Sequence, residues 1–252
     1  MTKLAVIVND LQVPFHDVAS VKAVLKFVAE VKPDALVLNG DIGDFYEVSD
    51  FDKDPARKTN LQTELAAVRT VIDAFAAAAP KAKKFWNDGN HEDRLRRYLW
   101  KHPELASLET LTIPSQLKLA KYGFEYHPYG EGFWLNRKFF VVHGDIVRSK
   151  SSFTARAMYE RYLCSGISGH THRLGSYYNV AHTVDGPEVF GWWENGCLCA
   201  MTPEYVQHPQ WQQGFAVVHY DDGPTGRFQV VQVPVLDGMF IYGGEAYGKR
   251  KT

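Results

Sequence analysis

The chain has 252 residues, of which 45% are hydrophobic and 23% are charged, and its formal net charge is −1. This composition is typical of a globular protein and excludes an intrinsically disordered chain. The near-neutral charge excludes a protein that coats nucleic acid through a global basic field, and the ten histidines are the one unusual count.

Strand and helix patterns alternate through the first hundred residues. Continuous apolar runs predict buried strands at 4–8, 35–38 and 84–86, and helical periodicity is found at 18–31, 61–79 and 91–100. This β-α-β-α-β-α order is typical of a mostly parallel sheet flanked by helices.

The second half changes to short strands bounded by glycine and proline turns, with one helix predicted at 151–163. The strands are predicted at 124–126, 133–135, 139–143, 166–169, 175–180, 188–193, 215–220 and 228–235. Such a succession favours a second, more antiparallel sheet that packs on the first. We therefore expect an α/β fold, a four-layer α/β/β/α sandwich of two mixed β-sheets flanked by helices. A single domain is expected over 1–242, followed by a flexible C-terminal tail over 243–252.

The three cysteines are too few for a disulfide framework, and Cys197 and Cys199 lack the second pair of a typical structural zinc site. We interpret them as reduced thiols. The apolar run at 4–8 is too short for a signal peptide, and no uncharged apolar stretch approaches the length of a membrane span, about 18 residues. The sequence therefore predicts a cytoplasmic protein without a membrane partner.

Polar residues rich in Asp, Asn and His collect where five predicted strands end. These clusters are residues 9–12, 40–44, 89–92, 143–145 and 169–172. Ligands bind at the carboxyl ends of strands in open α/β sheets, so the five clusters should converge. Their side chains suit divalent manganese, iron, zinc or nickel. There are enough of them for two ions about 4 Å apart, an arrangement that supports in-line displacement at phosphorus.

The same residues carry a resemblance to the calcineurin-like metallophosphoesterase superfamily. The matching blocks, in the order typical of the family, are Asp10-x-Gln12, Gly40-Asp41-x-x-Asp44, Gly89-Asn90-His91-Glu92, His143-Gly144 and Gly169-His170-x-His172. They span residues 10–172, about two-thirds of the chain.

The resemblance implies a hydrolase that acts on phosphoric esters and uses two divalent metal ions. Asp41 would bridge the ions, His91 would protonate the leaving oxygen, and Asp44 would orient His91. A hydroxide that bridges the metals would attack in line. The other ligands implied are Asp10, Gln12 and His172 at the first site, and Asn90, His143 and His170 at the second.

Position 12 departs from the family, which commonly has histidine there. An amide oxygen is a harder ligand than imidazole, so we predict a weaker first site that favours Mn²⁺, with iron, zinc or nickel as alternatives. A second interpretation is that Gln12 is not a ligand and that His16, four residues further along, reaches the site instead.

Substrate-binding candidates are Arg94, Arg173 and His16. A guanidinium group suits a non-scissile phosphate, although a solvated helix face also explains Arg94 and Arg97. If DNA is the substrate, the helix that carries Arg94, Arg97 and Lys101 is the candidate basic strip.

The irregular segment 197–214 contains Tyr205, His208 and Trp211. Its aromatic residues suit a lid or a base-stacking platform, and they suit core packing or a dimer contact equally well. We assign no role to this segment, and the sequence leaves the oligomeric state open.

The second and third blocks lack the residues that typify protein Ser/Thr phosphatases, since Asp44 is followed by Phe45-Tyr46 and Asn90 is preceded by Asp88-Gly89. The pattern is closer to the phosphodiesterase and nuclease branches, and residues 89–99 resemble small bacteriophage and bacterial members. The function predicted is a dinuclear metal-dependent phosphodiesterase of a bacterial or phage-infected cell, acting on nucleic acid (DNA or RNA) or nucleotides. The alternatives are a phosphomonoesterase for a small metabolite and a non-catalytic binding module, as a retromer subunit of this superfamily is thought to be.

Overall fold

Two mixed β-sheets lie face to face and helices cover their outer sides, which confirms the predicted α/β/β/α sandwich. The structure is a computed structural model that describes residues 2–57, 60–184, 186–202 and 209–249. Among the helices of these ranges, none is both long enough and apolar enough to cross a lipid bilayer.

The first half of the chain alternates strands and helices as predicted. Its elements are β1 (Lys3–Val8), α1 (Val18–Val31), β2 (Ala35–Asn39), α2 (Leu61–Ala78), β3 (Lys83–Asn87) and α3 (Asn90–Lys101), with a 3-10 turn at Tyr46–Val48. The Asp17 carboxylate accepts a hydrogen bond from the backbone N–H of Ser20 and caps α1, and Asn60 and Thr63 form a capping box on α2.

Three short helices precede the next strand: α4 (Pro103–Ala106), α5 (Ile113–Leu117) and α6 (Leu119–Tyr122). These helices were not predicted from the sequence, because four or five residues are too few to show a helical period. The remaining elements are β4 (Phe124–His127), β5 (Phe133–Asn136), β6 (Phe139–Val141), α7 (Phe153–Tyr162), β7 (Ser165–Ser168), β8 (Gly175–Thr183), β9 (Gly186–Glu194), β10 (Gly214–Tyr220), β11 (Phe228–Pro234), β12 (Met239–Tyr242) and β13 (Glu245–Gly248).

The first sheet has the strand order β11-β10-β1-β2-β3-β4, and the second has the order β5-β6-β7-β9-β8. Strands β1 to β4 are parallel, whereas β10 pairs antiparallel with β1. The prediction that 124–126, 215–220 and 228–235 belong to the second sheet was wrong. Residues 124–126 lie in β4, which pairs parallel with β3 at one edge of the first sheet, and the other two segments extend that sheet beyond β1. There Val217 pairs with Val6, and both side chains are buried, so a strand covers the edge of β1 that would otherwise expose unpaired backbone groups.

The hydrophobic core has one layer between the sheets and one under each set of helices. Between the sheets, Ile7 and Val37 of the first sheet pack with Phe139 and Ile167 of the second. Helices α1 and α2 cover the outer face of the first sheet, and α7 covers that of the second. Because both faces of β1 and β2 are mostly buried, these strands are largely apolar, and the polar residues collect at their ends and in the loops that follow them.

The C-terminal residues differ from the flexible tail predicted over 243–252. Glu245–Gly248 form β13, which pairs antiparallel with β12 in a separate two-stranded sheet. The Tyr247 side chain is buried, and its ring centroid lies 5.2 Å from that of Phe27 in α1. One aromatic side chain thus anchors a segment whose glycines suggested mobility, and residues 250–252 lie outside the described part.

Candidate metal centre

The five polar clusters converge at the carboxyl ends of β1, β2, β3, β6 and β7, as the sequence predicted. Two groups of candidate ligand atoms lie there, and within each group all atoms are within 4.8 Å of one another. One group comes from Asp41, His143 and His170, and the other from Asp10, Asp41 and His172. Asp41 belongs to both groups. The structure therefore places Asp41 where the sequence analysis expected a bridging carboxylate.

Five of the candidate ligands have backbone angles that non-glycine residues seldom adopt. Their φ values are positive: 53° at Asp10, 51° at Gln12, 52° at Asp41, 71° at His170 and 58° at His172. Each such residue carries a backbone cost of about 1–3 kcal/mol, which persists only where the surrounding structure imposes it. These turns direct the side chains of successive loops toward one point, which is typical of a functional site.

Two glycines are required because the loops pass so close to each other. A Cβ at position 89 would lie 2.1 Å from Asp41 Oδ1, and one at position 40 would lie 2.4 Å from His143 Nδ1. Both distances are far below van der Waals contact. Gly40 also has a φ of +85°, in the left-handed region that favours glycine.

The hydrogen bonds of His143 indicate which ring nitrogen faces the centre. Its Nδ1 donates to the carbonyl of Asn39 at 2.8 Å, which leaves Nε2 to act as the ligand. Nε2 lies 3.4 Å from Asp41 Oδ2 and 3.3 Å from Asn90 Oδ1. Three electron-pair donors in a buried site repel one another unless a proton or a metal cation lies between them. The donor set of imidazole, carboxylate and amide oxygen fits a divalent cation.

His172, Asp10 and Gln12 form the second part of the centre. His172 Nε2 lies 3.1 Å from Asp10 Oδ1, and the Gln12 side-chain amide lies 3.2 Å from the same nitrogen. Because the nitrogen and oxygen of an amide exchange places when it is rotated by 180°, Gln12 can present its oxygen to a cation here. His16 instead forms a backbone bridge with Cys199 and is absent from the candidate ligand groups of the described residues.

The carboxylates create a negative field that acts on the histidines. Burial lowers the pKa of His143 and His172, but the facing carboxylates outweigh it and raise the pKa of His143 to about 10 and that of His172 to about 9. A field that favours a proton on these nitrogens also favours a metal cation, which competes with the proton. Burial and the neighbouring His143 lower the pKa of His170, which favours the neutral imidazole that can bind a cation.

His91 lies in the first turn of α3, next to the candidate ligands. Its Nδ1 is 3.1 Å from Asp44 Oδ1 and 3.0 Å from the Asp44 carbonyl, and its Nε2 is 3.7 Å from Asp41 Oδ2. Arg94, one helical turn later, places Nη2 3.1 Å from His91 Nε2 and donates through Nη1 to the Asp44 carbonyl at 2.6 Å. Asp44 and Arg94 therefore both contact the His91 ring beside the candidate ligands.

Arg57 was not predicted from the sequence as a site residue, but its Nη1 lies 3.5 Å from Asp44 Oδ2. Its guanidinium also lies over the Tyr46 ring, 3.9 Å from the centroid. No motif surrounds Arg57, and the run of aromatic and charged residues from 45 to 57 was the only signal available.

Glu92 is a second residue to which the sequence analysis gave no role. Its buried carboxylate accepts four backbone N–H groups, from Asp41 (2.8 Å), Ile42 (2.9 Å), Gly43 (3.0 Å) and Gly89 (2.8 Å). Burial and the nearby Asp41 raise the pKa of Glu92 to about 7, whereas its four donors favour the ionised form. Glu92 therefore ties the loop that carries Asp41 to the start of α3.

Arg173 is buried and donates to the carbonyl of Arg148 at 2.5 Å, so its described contact holds a neighbouring loop and not the centre.

In the segment 197–214, Trp211 packs on the His172 ring with centroids 4.3 Å apart. Cys199 Sγ lies 3.7 Å from His172 Nδ1, and the two thiols of Cys197 and Cys199 form a further candidate ligand group with that ring. Tyr205 and His208, the other aromatic candidates, lie outside the described residues.

Comparison with known proteins identifies the family. Residues 5–225 match the family model of the calcineurin-like phosphoesterases. The chain belongs to this family. It is 26% identical to the gene 54 protein of Mycobacterium phage D29 over 262 residues and 27% identical to that of Mycobacterium phage L5 over 266 residues, with 98% of this chain and 99% of each relative covered.

Among solved structures, similar ones include Vps29 of Entamoeba histolytica, as a single mutant, and vacuolar protein sorting 29 of Cryptosporidium parvum. The first is 14% identical with a TM-score of 0.44 and covers 93% of this chain and 94% of its own. The second is 12% identical with a TM-score of 0.46, and the match covers 97% of this chain and 94% of the Cryptosporidium chain. The family is one of phosphoesterases, and the described carboxylate and imidazole ligands suit a divalent metal ion.

Proposed function

We propose that the chain is a metal-dependent phosphodiesterase that acts on nucleic acid or nucleotides. The observation that carries this proposal is the position of the buried Asp41 in two candidate ligand groups, with His91 directly beside it. The ligand sets suit two divalent ions, and the oxygen donors of Gln12 and Asn90 favour Mn²⁺, with iron, zinc or nickel as alternatives. Such ions, when bound, neutralise phosphate charge and activate water for in-line attack.

The protein's own residues orient the phosphate and supply a proton. The imidazolium of His91 gives its Nε2 proton to the leaving ester oxygen as the bond from phosphorus to that oxygen breaks and the bond from phosphorus to the water oxygen forms. The Asp44 carboxylate, 3.1 Å from Nδ1, holds the ring in its orientation. Arg94 is within reach of the same nitrogen and can hold a phosphate oxygen during the reaction.

The two alternatives lead to different outcomes. A phosphomonoesterase would need the same ligands but no space for a second ester substituent. A binding module of the same fold would not need an oriented acid, and the contacts of His91 with Asp44 favour catalysis over that alternative.

The test uses bis-p-nitrophenyl phosphate and p-nitrophenyl phosphate with Mn²⁺, in the presence and absence of a chelator. We expect chelator-sensitive hydrolysis with a preference for the diester. Replacement of His91 by alanine should lower kcat by about 10²- to 10⁴-fold, the usual contribution of a general acid, with metal content unchanged. His182→Ala, an exposed histidine of β8, is the matched control and should keep wild-type activity.

Full diester activity in metal-loaded His91→Ala would contradict the mechanism. A preference for the monoester would favour the phosphomonoesterase. Inactivity of the metal-loaded wild type on both substrates would favour the binding module.

A further inference from the structure

Two cavities open beside the candidate metal centre and share one wall. The larger has a volume of about 550 Å³ and the smaller about 270 Å³. Phe51, Asn90 and Arg94 line both cavities, so the two form lobes of one cleft that meet at a candidate metal ligand. We call them the large lobe and the small lobe.

The shared wall presents an aromatic ring and a guanidinium. Phe51 is 66% exposed, although its ring lies in a cleft next to buried ligands. The Arg94 guanidinium lies over the Phe51 ring, 5.3 Å from the centroid. An exposed aromatic face beside an arginine is a suitable stacking surface for a nucleobase.

The position of His91 distinguishes the two lobes. Among the residues that line them, His91 and Asp44 belong to the large lobe alone. Since His91 gives its proton to the leaving oxygen in the proposed reaction, the leaving group must occupy the large lobe. The group that stays on phosphorus is then directed to the small lobe.

The charges of the lobes support different occupants. In the large lobe, Arg57 and Arg94 are accompanied by Asp44, Asp52 and Asp54, which makes a mixed surface able to bind the polar edges of a nucleoside. Two of these carboxylates are engaged. Asp44 lies 3.5 Å from a guanidinium nitrogen of both Arg57 and Arg94. Asp54 accepts the backbone N–H of Ala56 at 2.8 Å.

The small lobe has a more positive lining. Arg94 and Arg97 line it with Asp50 as the one acidic residue of its described lining, and Asp50 forms an ion pair with Lys101. Arg94, Arg97 and Lys101 succeed one another at helical spacing along α3, away from Asn90. A further phosphate of a strand that leaves the metal centre along α3 would meet these groups.

We infer that the cleft binds a nucleic-acid strand across the metal centre, with the leaving nucleoside in the large lobe, the retained strand in the small lobe and a base stacked on Phe51. The inference rests on the proposed phosphodiesterase function and narrows its substrate from any diester to a strand of several nucleotides. Arg97 then contacts a phosphate next to the scissile one.

The first test concerns stacking on Phe51. The substrates are the dinucleotide dTpdT and two analogues that each lack one thymine base, measured with Mn²⁺. Phe51→Ala should lower kcat/KM for dTpdT by about 5- to 150-fold, since loss of base stacking costs about 1–3 kcal/mol. Phe51→Tyr should restore the rate, and the loss should disappear on the analogue that lacks the stacked base. Val189→Ala, an exposed apolar residue of β9, is the control.

The second test concerns Arg97 and compares dTpdTpdT with dTpdT. Arg97→Gln should lower kcat/KM for the trinucleotide by about tenfold, as expected for a lost charge-assisted hydrogen bond, and leave the dinucleotide unchanged. Arg96→Gln, at the preceding position of the same helix and paired with Asp93, is the matched control.

The outcomes separate this inference from the proposed function. Stacking is refuted, and the phosphodiesterase function stands, if the wild type cleaves dTpdT and Phe51→Ala cleaves it equally well. The same conclusion follows if Phe51→Ala lowers kcat/KM by the same factor on both analogues that lack one base. If Arg97→Gln affects both lengths alike, the small lobe does not hold the next phosphate. If the wild type cleaves neither dTpdT nor bis-p-nitrophenyl phosphate, the proposed function itself fails.

Discussion

At the residue scale, the centre depends on side chains that hold the backbone as well as on those that face a ligand. The loop after β2 cannot continue a strand, because Asp41 has a left-handed conformation. Its buried N–H groups therefore need another acceptor, and Glu92 supplies both carboxylate oxygens to it. The motif showed that an acidic residue stands at position 92, but only the fold shows which N–H groups it accepts.

We predict that Glu92→Gln destabilises the protein and weakens metal binding. The amide NH₂ would face two backbone N–H groups and leave them without an acceptor, so the free energy of unfolding should fall by about 2–4 kcal/mol. Urea denaturation measures the stability, and calorimetric titration with Mn²⁺ measures the affinity. Glu131→Gln, at an exposed position, should behave as the wild type. An unchanged urea midpoint in Glu92→Gln would show that the four hydrogen bonds do not stabilise the loop.

At the element scale, α3 is the part of the fold that connects the ligands to the cleft. Its first turns carry Asn90, His91, Glu92 and Arg94, so one helix contributes a candidate ligand, the acid, the loop anchor and the cleft wall. The helix is placed by the end of β3, where Asp88 is buried. Trp86 Nε1 donates to one Asp88 oxygen at 2.8 Å, and the Tyr126 hydroxyl donates to the other at 2.5 Å.

The buried Asp88 carboxyl group should make the stability of the fold depend on pH. Burial, followed by the negative charge of Glu92, raises the pKa of Asp88 from 3.8 to about 8. The folded state therefore binds the proton more tightly than the unfolded state. The stabilisation from this bound proton is complete below the pKa that Asp88 has in the unfolded chain. It is lost as the pH rises through the pKa that Asp88 has in the folded protein, by at most about 1.4 kcal/mol per pH unit.

We expect Asp88→Asn, which cannot ionise, to lose less stability than the wild type between pH 5 and pH 9. Urea unfolding in the presence of a chelator at pH 5, 7 and 9 measures this difference. Parallel stability curves for the two proteins would contradict the raised pKa.

At the scale of the whole molecule, the candidate ligands come from both sheets. Asp10, Asp41 and Asn90 follow strands of the first sheet, whereas His143 and His170 follow strands of the second. A cation bound by these groups therefore joins the two halves of the sandwich. Since the unfolded chain cannot assemble such a site, binding stabilises the folded state.

We predict that Mn²⁺ raises the melting temperature of the wild type. At a free concentration 100 times the Kd the stabilisation is about 2.7 kcal/mol, which corresponds to roughly 5–10 °C for a domain of this size. Asp41→Asn should remove most of the shift, because Asp41 belongs to both ligand groups. Asp145→Asn, at an exposed residue of the neighbouring cluster that pairs with Arg161, should keep it. Differential scanning calorimetry measures both, and equal shifts in the two variants would contradict the assignment of Asp41.

The sequence by itself determined the alternating elements of the first hundred residues, the fold class and the polar clusters at the strand ends. These features are local, because a buried strand, an amphipathic helix and a loop motif each leave a pattern within a few residues. The convergence of the clusters also followed, since the ends of parallel strands meet at one edge.

Only the tertiary structure decided which strands pair across long distances and which charged residues reach the cleft. The pairing of β10 with β1, the burial of Tyr247 against α1 and the contact of Arg57 with Asp44 each join residues far apart in sequence. Local periodicity holds no information about such contacts, because their free energy comes from surfaces that exist only after the sheets and helices have packed.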